Sequence, residues 1–153
     1  MPNNENTSKG LKILSIDSGG VRGLSAIIIL QEIMRRVNNA TAKNLDPYQH
    51  FDVIAGTGTG GIIACMLGRL QMPIDKAIQE YVKLAEDVFK DKKWNGTMYK
   101  KTKLQEALTA MVRGKTGNEG ELMNNGLETN GCKTVVFAMA RHNLSANLPV
   151  MFR

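Results

Sequence analysis

Residues 51–67 read FDVIAGTGTGGIIACML, and the other predicted elements are arranged around this segment. The apolar run at residues 53–55 predicts a buried strand, and the apolar run at residues 62–67 predicts a buried helix. The glycine cluster between them predicts a tight strand–turn–helix, because glycine adopts positive φ and lets neighbouring elements approach closely. Such a turn aims its apex residue and several backbone N–H groups outward at the start of a helix, where negative charge is favoured.

Two chemistries use this local shape. In the nucleophile elbow of serine hydrolases, Gly-x-Ser-x-Gly, an exposed serine stands at the apex beside an oxyanion hole. In the dinucleotide-binding loop, Gly-x-Gly-x-x-Gly, a pyrophosphate lies on the helix N-terminus. Gly56, Gly58 and Gly61 fit the second pattern. In the first pattern the apex residue is Gly58, which has no side chain.

Composition bounds the class of protein. The chain has 153 residues, 42% of them hydrophobic, which is enough for one domain with a sizeable core. The net charge of +6 comes from short basic groups beside predicted helices, a pattern typical of solvated helix faces, with a membrane-facing role as the alternative. Two cysteines are too few for a disulfide framework. The polar N-terminus lacks a secretory signal pattern, so we expect a cytoplasmic protein, with peripheral membrane contact left open.

A second glycine turn follows the first predicted strand. Residues 11–16 alternate and predict that strand, and residues 17–23, DSGGVRG, come directly after it. Residues 24–37 carry apolar side chains near the helical period and predict a helix buried on more than one side. Residues 38–47 then predict a loop.

Further elements are predicted downstream of the elbow. Pro73 opens a strongly amphipathic helix that reaches residue 89. Thr102 and Gln105 have the form of a capping box, which predicts a short helix ending at Gly114. The other segments are a loop at 91–101 packed by two aromatic rings, a mobile loop or loose hairpin at 114–131, a third strand at 134–138 and the start of another strand at 150–153.

Strands that alternate with helices predict an α/β fold with a mainly parallel sheet covered by helices on both faces. Both glycine turns then lie at the carboxyl ends of strands, on the edge where ligands bind in this class. We expect one domain over residues 11–153, preceded by a disordered polar tail at 1–10.

The two glycine turns, taken in order, resemble the paired motifs of the patatin-like phospholipase family. Its members carry Asp-Gly-Gly-Gly-x-Arg followed by Gly-x-Ser-x-Gly, often as Gly-Thr-Ser-Thr-Gly-Gly. This chain has DSGGVRG at 17–23 and GTGTGG at 56–61, and the flanking segments are reminiscent of the fungal branch. The resemblance covers residues 11–153. It implies a patatin-like three-layer fold in which helices flank a mainly parallel central sheet, C-terminally incomplete here.

The resemblance also implies roles for individual residues. Gly19 and Gly20 would supply backbone N–H donors for the oxyanion, and Arg22 would help to hold their loop. A serine at the elbow would attack a fatty-acyl ester, with an aspartate from a later Asp-Gly-Gly or Asp-Gly-Ala motif as base and with no metal or other cofactor. The elbow residues of this chain are Gly56, Thr57, Gly58, Thr59 and Gly60.

This sequence departs from the family pattern at three places. Ser18 follows Asp17 where the family has glycine, Gly58 stands at the nucleophile position, and no Asp occurs after Asp91. We therefore expect a domain truncated before the catalytic-aspartate motif. Loss of one oxyanion donor costs about 10²–10³ in turnover, whereas loss of a nucleophile costs on the order of 10⁶. Gly58 is thus expected to weaken catalysis more than Ser18, which would either strain the loop or point its hydroxyl at the former oxyanion hole.

Other candidate groups carry less weight. Thr57 and Thr59 flank the apex and are expected to point away from the place of the missing serine. His50 and His142 have no serine or cysteine partner by motif, so we interpret both as surface or packing residues.

Three functions stay open from the sequence. The first is a patatin-like lipid acyl hydrolase that acts on lipid or phospholipid esters in lipid metabolism and is impaired in this chain, so that its status as an enzyme is open. The second is a non-catalytic module that binds lipid, a membrane or a partner. For either function the resemblance leaves room for further domains downstream in a full-length protein. The third, nucleotide binding, is disfavoured because a helix is predicted where a ribose-binding strand should follow the glycine loop. No nucleic-acid partner is expected.

Overall fold

The structure is a computed structural model that describes residues 10–89, 101–123, 131–139 and 149–153. Its strands are β1 (Ile13–Ile16), β2 (Val53–Thr57), β3 (Lys133–Ala138) and β4 (Val150–Phe152). Its helices are α1 (Gly23–Thr41), α2 (Pro47–His50), α3 (Thr59–Ala64), α4 (Ile74–Phe89) and α5 (Lys101–Thr116), with a 3-10 turn at Gly20–Arg22 and a π-helical turn at Cys65–Arg69. The predicted polar tail and the predicted aromatic loop lie almost entirely outside the described ranges.

The four strands form one sheet in the order β1-β2-β3-β4. β1 pairs with β2 and β2 with β3 in parallel, whereas β4 runs antiparallel to β3. Ile16 lies opposite Gly56, and Gly56 lies opposite Val136, so the ends of the first three strands meet at one edge. The predicted α/β fold with a mainly parallel sheet is confirmed.

Helices cover one face of this sheet within the described ranges. α3 and the π-helical turn pack on the face that carries Ile54, Thr134 and Val136. The opposite face leaves apolar side chains in solvent, since Ile13 is 60% and Met151 is 48% exposed. The prediction of helices on both faces is therefore confirmed for one face only.

α1 buries only one of its sides. Its inward residues are Gly23, Ile27, Leu30 and Met34, which face α3 and α4. On the outer side Ile28, Ile29 and Ile33 are 47, 61 and 46% exposed. The prediction that this helix is buried on more than one side is wrong, because its buried residues form a single stripe and the elements of the described ranges leave the other side exposed.

The loop predicted after α1 is shorter than expected. α1 continues to Thr41 and ends where Ala42 takes a left-handed φ of 51°. The Asn38 side chain then holds the turn, because its Nδ2 donates to Leu45 O at 3.0 Å and its Oδ1 accepts from Leu45 N at 3.1 Å. A capping box between Asp46 and the third helical residue opens α2, a short helix that the sequence did not predict after the loop.

The later elements follow the prediction with small shifts. α4 occupies the predicted amphipathic segment, and α5 passes Gly114 to end at Thr116. Residues 117–123 of the loop predicted after α5 are described. Arg69 holds this segment, because its Nε–H donates to Met123 O at 2.9 Å and its guanidinium forms an ion pair with Glu121. Of the helices in the described ranges, none combines the length and apolarity needed to cross a bilayer.

Candidate active site

The two glycine turns lie side by side at the carboxyl ends of β1 and β2. Gly20 and Gly58 both have φ of 55°, a left-handed conformation that favours glycine. Gly58, with ψ of −126°, forms the sharp corner between β2 and α3, and its carbonyl accepts from Gly61 N at 3.1 Å. This backbone has the strand–turn–helix shape of a nucleophile elbow.

Two further glycines let the elbow sit close to the sheet. A Cβ on Gly60 would lie 2.2 Å from Ile16 O, and a Cβ on Gly56 would lie 2.2 Å from Gly60 O. Because no real Cβ approaches a backbone atom so closely, α3 can start here only with glycine at both positions. The same close approach brings the start of α3 against the loop that follows β1.

Thr59 joins the two turns through its hydroxyl. The backbone N–H groups of Gly19 and Gly20 both donate to Thr59 Oγ1, each at 3.0 Å. These are the two N–H groups predicted to stabilise an oxyanion, and in this structure they are directed at a protein hydroxyl. Their role toward a substrate stays a prediction. Sequence reasoning placed Thr59 beside the apex but did not foresee this contact.

We expect replacement of Thr59 by Val to lower the free energy of unfolding by about 1–3 kcal/mol, because two half-buried N–H donors lose their acceptor. Thr59→Ser keeps the hydroxyl and should stay within about 1 kcal/mol of wild type. Urea denaturation of the three proteins measures the difference. Equal stability of the Val and Ser variants would show that the hydroxyl does not hold the loop.

Tyr81 of α4 stabilises the glycine turn that follows β1. Its side chain is buried, and its Oη donates to Gly20 O at 2.6 Å. Burial raises the pKa of the phenol, and a hydrogen bond with Thr59 opposes that rise. From the sequence, Tyr81 is only one residue of the predicted amphipathic helix. No local motif marks it, because its partner lies 61 positions earlier in the chain.

Ser18 and Gly58 meet across the gap between the turns. A Cβ on Gly58 would lie 2.4 Å from Ser18 Oγ and 2.8 Å from Ser18 Cβ. Both residues are exposed at the sheet edge. Of the two alternatives predicted for Ser18, loop strain is not found, because its φ is not positive. Its hydroxyl instead faces the elbow apex.

The other predicted site residues lie at the same edge. The backbone N–H of Arg22 donates to Gly19 O at 3.1 Å and closes the 3-10 turn, while the residue as a whole is exposed. Thr57 ends β2 opposite Phe137, and Asp17 follows β1; both are exposed. In the described part of the chain, no three His, Cys, Asp or Glu side chains converge on a point where a metal ion could bind.

Other candidate nucleophiles and bases in the described ranges are weak. Burial raises the pKa of the Cys65 thiol to about 11, so the reactive thiolate is scarce near neutral pH. His50 packs edge-on against Phe51 with ring centroids 4.9 Å apart, and burial together with the charge of Lys12 lowers its pKa. This contact agrees with the interpretation of His50 as a packing residue. His142 lies outside the described ranges.

A parallel sheet edge that carries a nucleophile-type elbow next to a glycine loop defines an α/β protein with the site architecture of serine-dependent acyl hydrolases. The sequence model of the patatin-like phospholipase family matches residues 14–150. The chain therefore belongs to the patatin-like phospholipase family.

Curated relatives carry the same family resemblance. Human calcium-independent phospholipase A2-gamma is 41% identical over 90 residues, which cover 59% of this chain and 11% of that protein. Phospholipase A I of Arabidopsis thaliana is 37% identical over 81 residues, or 53% of this chain and 6% of the relative. Patatin-like protein 2 of Oryza sativa subsp. indica is 32% identical over 92 residues, or 56% and 23% respectively. The chain thus matches only a minor part of the length of each.

Proposed function

We propose that this chain is a patatin-like domain that recognises lipid acyl esters but hydrolyses them far more slowly than a relative with a complete elbow. The observation that carries the proposal is the elbow itself. Gly58 has the backbone geometry of the nucleophile position, φ of 55° and ψ of −126°, without a hydroxyl. The scaffold for acyl transfer is therefore present while the attacking atom is missing.

The neighbouring groups do not replace that atom. The Thr59 hydroxyl accepts from two backbone N–H groups, and Thr57 lies on the strand side of the corner. Loss of a nucleophile typically reduces turnover on the order of 10⁶-fold, whereas changes in single oxyanion donors cost about 10²–10³. The missing hydroxyl at Gly58 is therefore expected to reduce turnover more than any change in the oxyanion donors.

A lipid-binding module without catalysis is the second candidate, and the outer side of α1 favours it. Ile28, Ile29 and Ile33 expose apolar surface there, and Arg35 and Arg36 follow on the same helix. Exposed apolar side chains with adjacent cations suit the surface of an anionic membrane. Nucleotide binding is less favoured, because the segment after the elbow that would need a ribose-binding strand is helix α4.

One charge on this side of α1 limits the membrane attraction. Glu32 forms ion pairs with Arg35 and Arg36, both at 2.7 Å. Hydrogen bonds from the two arginines hold the pKa of Glu32 at about 2, so the carboxylate stays charged at neutral pH. The three side chains together carry one net positive charge, and the apolar isoleucines must therefore supply most of the proposed membrane affinity.

Turnover and binding assays separate the candidates. With a p-nitrophenyl acyl ester and a phospholipid substrate, we expect turnover on the order of 10⁶-fold below that of an active family member. In flotation with vesicles of neutral and anionic phospholipid, a lipid-binding module should rise with the vesicles, more with the anionic ones. Turnover near that of the active relative would refute the proposed impairment. Failure to float with either vesicle would refute the binding module.

A further inference from the structure

Ser18 and Gly58 share a space that holds one side chain. A Cβ on Gly58 would lie 2.4 Å from Ser18 Oγ and 2.8 Å from Ser18 Cβ, both inside the 3.0 Å limit that real Cβ contacts respect. Any side chain at position 58 therefore requires Ser18 to move.

Rotation of the Ser18 side chain relieves only part of this overlap. A different χ1 rotamer carries Oγ away from position 58, but the backbone alone determines where Cβ lies. The backbone next to Ser18 is held by the Gly19 and Gly20 N–H bonds to Thr59 and by the Tyr81 hydroxyl on Gly20 O. Ser18 Cβ can withdraw only if these hydrogen bonds loosen.

We propose that Ser18 and Gly58 form a mutually exclusive pair, in which a serine nucleophile fits at the elbow only when residue 18 is glycine. Ser18 is then the second residue that decides whether this elbow can be catalytic. The inference rests on the proposed function, because it concerns the nucleophile position of an acyl-ester site. It also explains why the chain departs from the family pattern at both positions, since a hydroxymethyl group at one excludes a side chain at the other.

A thermal double-mutant cycle tests the pair without relying on activity. We expect Gly58→Ser to lower the unfolding midpoint by roughly 6–10 °C, because the side chain meets Ser18 and is held at positive φ. Ser18→Gly alone should change the midpoint by no more than about 2 °C. The double variant should recover at least half of the fall. Recovery below about 2 °C, so that the two changes simply add, would overturn the proposal.

Two control variants separate overlap from backbone strain. Gly117 also has positive φ, 75°, and a Cβ there meets nothing within 4 Å. Gly117→Ser should therefore cost less than Gly58→Ser and should not respond to Ser18→Gly. In the Gly58→Ser background, Ser18→Ala keeps the Cβ at position 18 and should recover less stability than Ser18→Gly. Equal recovery by the Ala and Gly variants would contradict the steric explanation.

Labelling with an alkyl fluorophosphonate tests the chemical consequence. A hydroxyl at position 58 would form a P–O bond as the P–F bond breaks, releasing fluoride and passing its proton to water. We expect mass spectrometry to find the peptide containing residue 58 labelled at least tenfold faster in the double variant than in Gly58→Ser. No Asp follows Asp91 in this chain to serve as the family's base, so labelling is expected to be slow in every variant, and the ratio of the rates tests the pair. Measurable but equal labelling rates in the two variants would overturn the pair. A thermal cycle that shows coupling, with no detectable labelling in any variant, would support the pair and show that a hydroxyl at position 58 is not activated here, whereas turnover by the wild-type chain near that of an active relative would contradict the proposed function.

Discussion

Gly60→Ala is expected to lower the free energy of unfolding by about 3 kcal/mol or more. The new Cβ would lie 2.2 Å from Ile16 O and 2.6 Å from Asp17 O. Both neighbours are backbone atoms, so no rotamer change can remove the overlap, and α3 has to move away from β1. Thermal unfolding measures the loss, which should appear as a fall of roughly 6–12 °C in the midpoint.

Gly114→Ala is the matched control for this change. Gly114 lies inside α5, and a Cβ there meets no atom within 4 Å. Because alanine is the better helix former, the substitution should raise the free energy of unfolding by about 0.5–1 kcal/mol. If Gly60→Ala proved as stable as Gly114→Ala, the elbow helix could not lie as close to β1 as the structure places it.

Gly23→Ala is expected to cost about 2–3 kcal/mol, because it drives the start of α1 against α4. A Cβ at Gly23 would lie 2.2 Å from Tyr81 Oη and 2.8 Å from Tyr81 Cζ. The tyrosine cannot swing aside easily, since it is buried and its hydroxyl donates to Gly20 O. Denaturation by urea measures the loss.

Tyr81→Phe tests the origin of that cost. The single substitution removes the donor to Gly20 O and should lower stability by about 1–3 kcal/mol. In the Tyr81→Phe background the nearest overlap is gone, although the ring carbon remains, so Gly23→Ala should cost less than it does in wild type. Strict additivity of the two changes would show that Gly23 and Tyr81 are not in contact.

The elbow backbone could be predicted from the sequence because its cause is local. Glycines at positions 56, 58 and 60 lie between an apolar strand segment and an apolar helix segment. The short glycine-rich connection between the two elements predicts a tight turn. The neighbouring turn after β1 was predicted for the same reason. That the two turns lie together follows from parallel pairing of β1 and β2, which the alternation of strands and helices implied.

The contacts that close the site could not be predicted in the same way. Thr59 Oγ1 accepts from N–H groups 39 and 40 positions away, and Tyr81 reaches back 61 positions to Gly20. Neither contact produces a sequence pattern, such as a periodicity or a motif with fixed spacing, from which it could be predicted. The exposed outer side of α1 was missed for a related reason, because apolar periodicity reports which residues are apolar and not how many neighbours arrive to cover them.

The α/β class, the order of the glycine turns, the family and the absence of a hydroxyl at the elbow apex could all be predicted from the residues alone. These properties depend on local backbone chemistry and on motif order, which are present in the linear chain. The folded structure was needed to show that Ser18 lies where a side chain at Gly58 would stand, and that the Thr59 hydroxyl accepts from the N–H groups of the glycine turn. Such contacts depend on distances of a few ångströms between segments that meet only after the sheet has formed.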